Sequence, residues 1–241
     1  MSDVNLTLAG EQVSLMSERA LHWPGTSTLV VADPHWGKAS TFPAAGIPIP
    51  IGTTSDDLSR LDSALRRTGA RRMVVLGDLF HAKAGRIASH TLAELRRWRS
   101  LAGTFEILLV RGNHDRHAGD PPKDLQINCV NAPAFVPPFV FRHEPAEDEG
   151  AYTLAGHLHP AITLVGHGLQ RETLPCFLVG QHRMILPAFG SFTGLGVVQP
   201  GPGDRTFVVA EDEVLEVTEP VDLGPTAYPT MLHEMSETDH S

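Results

Sequence analysis

The sequence predicts an α/β protein in which two β-sheets pack face to face with helices outside. Three observations carry this. Strand and helix signals alternate through the first half, a pattern that implies right-handed crossovers and parallel pairing. After Asp124 the signals change to short strands with little helix. Polar motifs follow directly on apolar strands, the place where open α/β folds collect their ligands.

Thr28 to Ala32 is apolar and β-branched and runs into Asp33. Thr53, Thr54 and Ser55 offer an N-cap to a helix with Leu58, Leu61 and Leu65 on one face, and Gly69 ends it. Met73 to Leu76 reads as a second buried strand ending at Gly77-Asp78. A second helix is expected over about Ala88 to Leu101, with Leu92, Leu95 and Trp98 as its apolar face. Phe105 to Val110 is a third strand, followed by Gly112-Asn113-His114-Asp115. The second half offers strands at Leu125 to Val130, Phe139 to Phe141, Tyr152 to Ala155, Ala161 to Val165, Cys176 to Val179, Met184 to Leu186 and Phe207 to Val217. Pro133, Pro137 and Pro138 mark a loop or a sheet edge.

The chain has 241 residues, 41% hydrophobic and 20% charged, enough for one domain with a substantial core. A single domain is expected over residues 1–220, followed by a flexible acidic tail over 221–241 that carries Asp222, Glu234, Glu237 and Asp239. No apolar run reaches the ~18 residues that span a bilayer, and the N-terminus lacks the pattern of a secretory signal. Cys129 and Cys176 lie far apart, outside metal-ligand spacing, and read as reduced thiols of a cytoplasmic protein. The net charge of -9 excludes nucleic-acid binding by bulk electrostatics. Any such contact needs a local basic surface, for which Arg66, Arg67, Arg71 and Arg72, or Arg96, Arg97 and Arg99, are candidates, although solvated helix faces are the plainer reading.

Four motifs sit at strand ends: Asp33-Pro34-His35, Gly77-Asp78, Gly112-Asn113-His114-Asp115 and Gly156-His157-Leu158-His159. A fifth, Arg142-His143-Glu144-Pro145, follows another strand. Singly, an Asp-x-His or a Gly-Asp turn means little. Together they supply carboxylates, an amide oxygen and imidazoles with no thiolate, a donor set for Mn, Fe or Zn. A carboxylate on a tight Gly-Asp turn can be shared by two cations. Two cations about 3.5–4 Å apart can clamp an in-line displacement and give hydroxide at neutral pH, and a free imidazole can protonate the leaving alkoxide.

In this order the motifs resemble those of the calcineurin-like metallophosphoesterases. Gly37-Lys38-Ala39, Gly46-Ile47-Pro48, Leu76-Gly77-Asp78-Leu79-Phe80-His81, His143-Glu144-Pro145, Ala155 to Pro160 and Leu186 to Gly194 are similar to the bacterial ligase-associated DNA-damage-response phosphoesterases, over about Leu29 to Phe207. The resemblance implies a four-layer αββα sandwich, with two mixed sheets flanked by helices, and two divalent metals, with Mn²⁺ foremost and Zn²⁺, Fe or Mg²⁺ as alternatives. It implies that Asp33, His35, Asp78 and His159 hold one metal, and that Asp78, Asn113, His143 and His157 hold the other. His114 would bind phosphate and act as the leaving-group acid, with Asp115 orienting it. The implied activity is phosphodiester hydrolysis, endonucleolytic on DNA, alongside DNA ligase, helicase and exonuclease repair partners. Phosphomonoester or nucleotide hydrolysis on the same site, or a largely non-catalytic subunit, are the alternatives. Pro34 and Trp36 depart from the family pattern, and Pro34 fixes the backbone between two ligands. His81 reads as packing, ligand-supporting or substrate-facing, and Lys38 as a phosphate contact or a surface lysine. Phe189, Phe192 and Thr193 read as core and turn residues. Lys83, His22, His90, His167 and His182 receive no role.

Overall fold

The computed structural model describes residues 1–38, 53–103, 105–147, 150–165 and 171–218. Ala39, Gly46-Ile47-Pro48, His167 and the 221–241 segment lie outside the described residues.

The chain opens with an antiparallel meander of β1 (Val4–Leu8), β2 (Glu11–Met16) and β3 (Ala20–Trp23). Sequence reading assigns no strand to this segment. Val4, Leu6 and Leu8, then Val13 and Leu15, do alternate at the period of a strand. The hairpin between them was hidden because its turn is Ala9-Gly10, both left-handed at φ 48° and 85°, where Asn-Gly is the usual signal.

β4 (Thr28–Ala32) pairs antiparallel with β3, and from there the sheet turns parallel through β5 (Arg72–Leu76), β6 (Glu106–Val110) and β7 (Ile127–Val130). The intervening helices are α1 (Thr53–Thr68), the short α2 (Lys83–Ile87), α3 (Ser89–Leu101) and α4 (Asn113–Ala118). These strands read as continuous apolar runs because both faces are covered. Val30, Ala32, Val74, Leu76, Leu108 and Val110 face the second sheet. Leu29, Val31, Met73, Val75, Ile107 and Leu109 face the helices, against Leu58, Leu61 and Leu65 of α1 and Leu95 of α3.

The second sheet holds β8 (Ala134–Val136), β9 (Phe139–Phe141), β10 (Tyr152–Ala155), β11 (Pro160–Val165), β12 (Arg171–Val179), β13 (Arg183–Ile185), β14 (Gly196–Val197), β15 (Arg205–Ala210) and β16 (Glu213–Val217). Its order is β14-β11-β12-β13-β10-β9-β8, with β15 on β12 and β16 on β15. The sheet is mixed: β9, β10 and β13 run parallel, while β11, β12, β15 and β16 pair antiparallel. Phe139, Phe141, Leu154, Phe177, Met184 and Phe207 close the core between the sheets. Two mixed sheets with a helical flank are the architecture expected.

Several boundaries differ from the sequence reading. The run Phe207 to Val217 is a hairpin, reversed at Glu211, which sits at φ 48°. Leu125 closes a 3₁₀ turn rather than opening a strand, because Gln126 is left-handed. Asn113 to Asp115, which follow β6, begin the six-residue α4.

Register sets the site. Ala32, Leu76 and Val110 are lateral partners at the carboxyl ends of β4, β5 and β6, so Asp33, Asp78 and Asn113 emerge side by side. Phe141 and Leu154 are partners in the other sheet, which brings His143 and His157 to its matching edge. The sheets are tied there by the Phe189 N–H, which donates to the Ala32 carbonyl at 2.7 Å.

Candidate metal centre

Five non-glycine residues at this edge are left-handed: Asp33 (φ 52°), His35 (47°), Asp78 (51°), His157 (70°) and His159 (47°). Such conformations cost about 1–3 kcal/mol each and persist where surrounding contacts over-determine them. The contacts are here. The His157 N–H donates to Asp33 Oδ2 at 2.7 Å, and the His35 N–H to the Asp78 carbonyl at 2.9 Å. Asp115 accepts from three backbone amides: Asp78 (2.7 Å) and Gly112 (2.9 Å) on Oδ2, and Leu79 (3.0 Å) on Oδ1. Gly112 is required by proximity, since a Cβ there would strike the Asp78 carboxylate.

Asp78 stands at the centre. Its Oδ1 accepts from the His114 N–H at 2.9 Å. Its Oδ2 lies 3.7 Å from His35 Nε2, 3.5 Å from His143 Nε2 and 3.9 Å from His114 Nε2. To one side, Asp33, His35 and His159 form a cluster, with the two Nε2 atoms 3.3 Å apart. To the other, His143 Nε2 faces Asn113 Oδ1 at 2.8 Å and His157 Nδ1 at 2.9 Å. Every residue for which sequence reading expected metal ligation is thus brought to one place.

The tautomers are set from outside. His143 donates its Nδ1 proton to the Leu76 carbonyl at 3.0 Å, and His159 donates its own to the Gly194 carbonyl at 3.0 Å. Both Nε2 atoms then present lone pairs to the centre, the arrangement that metal-ligating imidazoles use. Lone pairs facing each other or an amide oxygen at about 3 Å repel unless a cation lies between them. That spacing is an edge of a coordination shell with bonds of about 2.1 Å. Asp33 Oδ1 is also buried without a hydrogen-bond donor, a costly state for a carboxylate oxygen. The residues fit divalent cations.

Electrostatics agree. Burial, and next the Asp33 carboxylate, push Asp78 up to about 8. Burial, then the neighbouring His159, His114 and His81 rings, push His35 down to about 2. Burial pulls His143 down. In His159 burial is outweighed by Asp33, which holds the ring above its ordinary value. The centre as a whole is short of positive charge.

One expected role differs in the structure. Asp115 does not reach the His114 ring: its oxygens are taken by backbone amides, because α4 turns the side chain back under the β5 end. His114 instead donates from Nδ1 to the His81 carbonyl at 2.6 Å. The His81 ring stacks on His114, with centroids 4.9 Å apart at 27°, and its Nδ1 lies 3.4 Å from His35 Nδ1. Lys38 places its Nζ 5.8 Å from the centroid of the Phe192 ring. The carbonyls of Leu76, His81 and Gly194 went unread in the sequence, since a backbone acceptor leaves no residue-type signal.

Five arginines of the two basic clusters are engaged by other partners. Arg66 pairs with Asp62, Arg67 with Asp3 and Glu18, Arg72 with Glu106 and Arg96 with Asp124. Arg99 caps the carbonyls of Gly103, Phe105 and Leu125. Arg72 opens β5, at the far end from Asp78. Cys129 and Cys176 are free thiols, which burial pushes up to about 11 and about 12. Among the described residues no helix is long and apolar enough to cross a membrane.

Residues 26–184 match the family model for calcineurin-like phosphoesterases. The crystal structure of the Pseudomonas putida nuclease MPE is similar to this chain, with 36% identity and a TM-score of 0.78, over 90% of this chain and 100% of that one. The Escherichia coli phosphoesterase Yfce is a distant likeness, at 11% identity and a TM-score of 0.38, over 79% and 97% of the two chains. No curated protein matches the chain. The order of the motifs, their convergence on Asp78 and the family match over most of the chain agree, and the chain belongs to the calcineurin-like phosphoesterase family.

Proposed function

We propose that the protein is a binuclear-metal phosphodiesterase that cleaves DNA with Mn²⁺ in bacterial DNA repair. Asp33, His35, Asp78 and His159 would hold one cation, and Asp78, Asn113, His143 and His157 the other. When bound, two such ions polarise phosphoryl oxygens and bring a water pKa from about 15.7 towards 7. Asp78 supplies the shared anion. His114 supplies the proton for the leaving oxygen. Its Nδ1 is committed to the His81 carbonyl, so Nε2, on the side of Asp78, is the atom that exchanges a proton. His81, whose ring stacks on His114 and whose Nδ1 lies 3.4 Å from His35 Nδ1, would face a bound phosphate, and Lys38 would contact it as a point charge.

The observation that carries this reading is His114, whose side chain is 36% exposed beside an aspartate that is almost fully buried. A scaffold that only bound metal would have no use for an open imidazole there. The likeness to a nuclease over nearly the whole chain supports a diester in DNA as substrate. A cytoplasmic setting with DNA ligase, helicase and exonuclease partners belongs to the same reading. The net charge of -9 fits a short substrate footprint, or delivery by such partners.

The test is hydrolysis of bis-p-nitrophenyl phosphate, p-nitrophenyl phosphate and single-stranded DNA with Mn²⁺, Zn²⁺, Fe²⁺ and Mg²⁺ in turn. Diester and DNA cleavage with Mn²⁺ are expected. A clear preference for the monoester overturns the diesterase reading. His114→Ala is expected to slow a DNA ester more than the activated aryl ester, because the poorer leaving group needs the proton. Equal slowing of both removes His114 as the acid.

A further inference from the structure

The segment Leu186 to Gly194 connects α1 to the cation position built by Asp33, His35 and His159. We propose that Asp57, on α1, is a positioning residue for that position and not for the one built by Asn113, His143 and His157. The inference rests on the binuclear reading above.

Asp57 is buried, 3% exposed, about a turn into α1. Its Oδ1 accepts from the Ser191 N–H at 2.9 Å, from the Ser191 hydroxyl, and from Arg60 Nη2 at 2.8 Å. Arg60 Nη2 also donates to the Phe189 carbonyl, and its guanidinium lies over the Phe189 ring, 4.6 Å from the centroid. Both ends of residues 189–191 are therefore fastened to α1 by one charged pair. A buried carboxylate with three donors cannot be replaced by water or by an apolar group without leaving those donors unpaired.

The fastened loop holds the cluster from three sides. Its Phe189 and Gly190 amides donate to the Ala32 and Asp33 carbonyls at 2.7 and 3.2 Å, fixing the backbone on which the Asp33 carboxylate stands. Gly190 packs against the Pro34 carbonyl so closely that a Cβ would collide with it, which sets the height of the turn between Asp33 and His35. Thr193 closes the loop by donating to the Gly190 carbonyl at 2.9 Å. Gly194 then offers its carbonyl to His159 Nδ1, fixing the tautomer and tilt of that ring. All three members of one cluster depend on this loop. Asn113, His143 and His157 contact instead Leu76, Asp33, Asp78 and one another. Loss of an outer partner of this kind typically weakens a metal site by 10–100-fold.

The test titrates metal-free full-length protein with Mn²⁺ by calorimetry and by electron paramagnetic resonance, which distinguishes a coupled ion pair from a single ion. In wild type two ions and a coupled signal are expected. In Asp57→Asn one ion is expected to bind at least ~10-fold more weakly, the other within twofold, with the coupled signal replaced by that of a single ion at low loading. Asp57→Asn added to His159→Ala is expected to change Mn²⁺ binding no further, because the position it serves is already broken. Ser191→Ala keeps the amide donor and the Arg60 pair, and gives a smaller loss in the same ion should Asp57→Asn fail to fold. Equal weakening of both ions, or no weakening in either variant, overturns the inference while leaving the binuclear reading intact. A wild-type protein that binds no pair of ions overturns both.

Discussion

Asp33 accepts the His157 N–H through Oδ2 at 2.7 Å and leaves Oδ1 buried with no donor. One carboxylate thus ties the two sheets together with one oxygen and stores an unmet electrostatic demand in the other. The nearest imidazole nitrogens, His143 Nδ1 and His159 Nε2, stand 3.4 and 3.8 Å from Oδ1, and the His143 Nδ1 proton goes to the Leu76 carbonyl instead.

Asp33→Asn keeps the acceptor for His157 and replaces the orphan oxygen with a donor. It also removes a charge that, after burial, raises Asp78. The metal-free variant is expected to be more stable than metal-free wild type by about 1 kcal/mol, or roughly 2–4 °C in melting temperature for a chain of this size. Hydrolysis is expected to fall by more than ~100-fold. Calorimetric melts in chelator, with parallel assays, check both. A variant less stable than wild type in chelator removes the stored-strain reading of Asp33.

Metal-free protein is expected to lose stability as pH rises from 6.5 to 8. Asp78 is raised to about 8, so the folded state holds a proton that the unfolded state has released. Its stabilisation is complete below about 4 and is lost as pH climbs through 8. His159, also raised, works in the same sense. His35, His81 and His143 are lowered, so their opposing contributions are complete by about pH 6.5. Over the remaining 1.5 units the loss is about 2 kcal/mol at 1.36 kcal/mol per unit. Saturating Mn²⁺ is expected to abolish this slope. Melting curves with and without Mn²⁺ decide it, and a flat metal-free profile counts against the crowded-carboxylate picture.

Asp115→Asn places an amide group among three backbone N–H donors. Destabilisation of about 1–3 kcal/mol is expected, with a loss of activity that passes through the Asp78 turn. In a His114→Ala background the further loss is expected to persist in full. If Asp115→Asn adds nothing there, Asp115 works through His114 after all.

Gly112→Ala drives a methyl group into the Asp78 carboxylate. Loss of bound metal and of activity by more than ~100-fold is expected, with the far-ultraviolet circular dichroism of wild type. Retention of two metal equivalents by the variant would show that Asp78 is free to move.

Much of the fold could be read from apolar periodicity. The parallel strands around Leu29, Val74 and Leu108 announce themselves because burial on both faces demands unbroken apolar runs. The N-terminal meander escaped because Ala9 stands where a turn-forming Asn is usual. The hairpin at Glu211 escaped for a related reason: its left-handed residue is one that sequence rules place elsewhere.

Residue type and order alone determined which groups form the centre. Asp33, His35, Asp78, Asn113, His143, His157 and His159 are polar residues set directly after apolar strands, where burial is costly without a use. Tertiary structure alone decided how they are held. The Leu76, His81 and Gly194 carbonyls, the Asp115 brace and the Asp57 clamp act through backbone groups or across more than 30 residues of chain. Hydrogen bonds to main-chain atoms are set by position in space and carry no signature in the side chain that receives them.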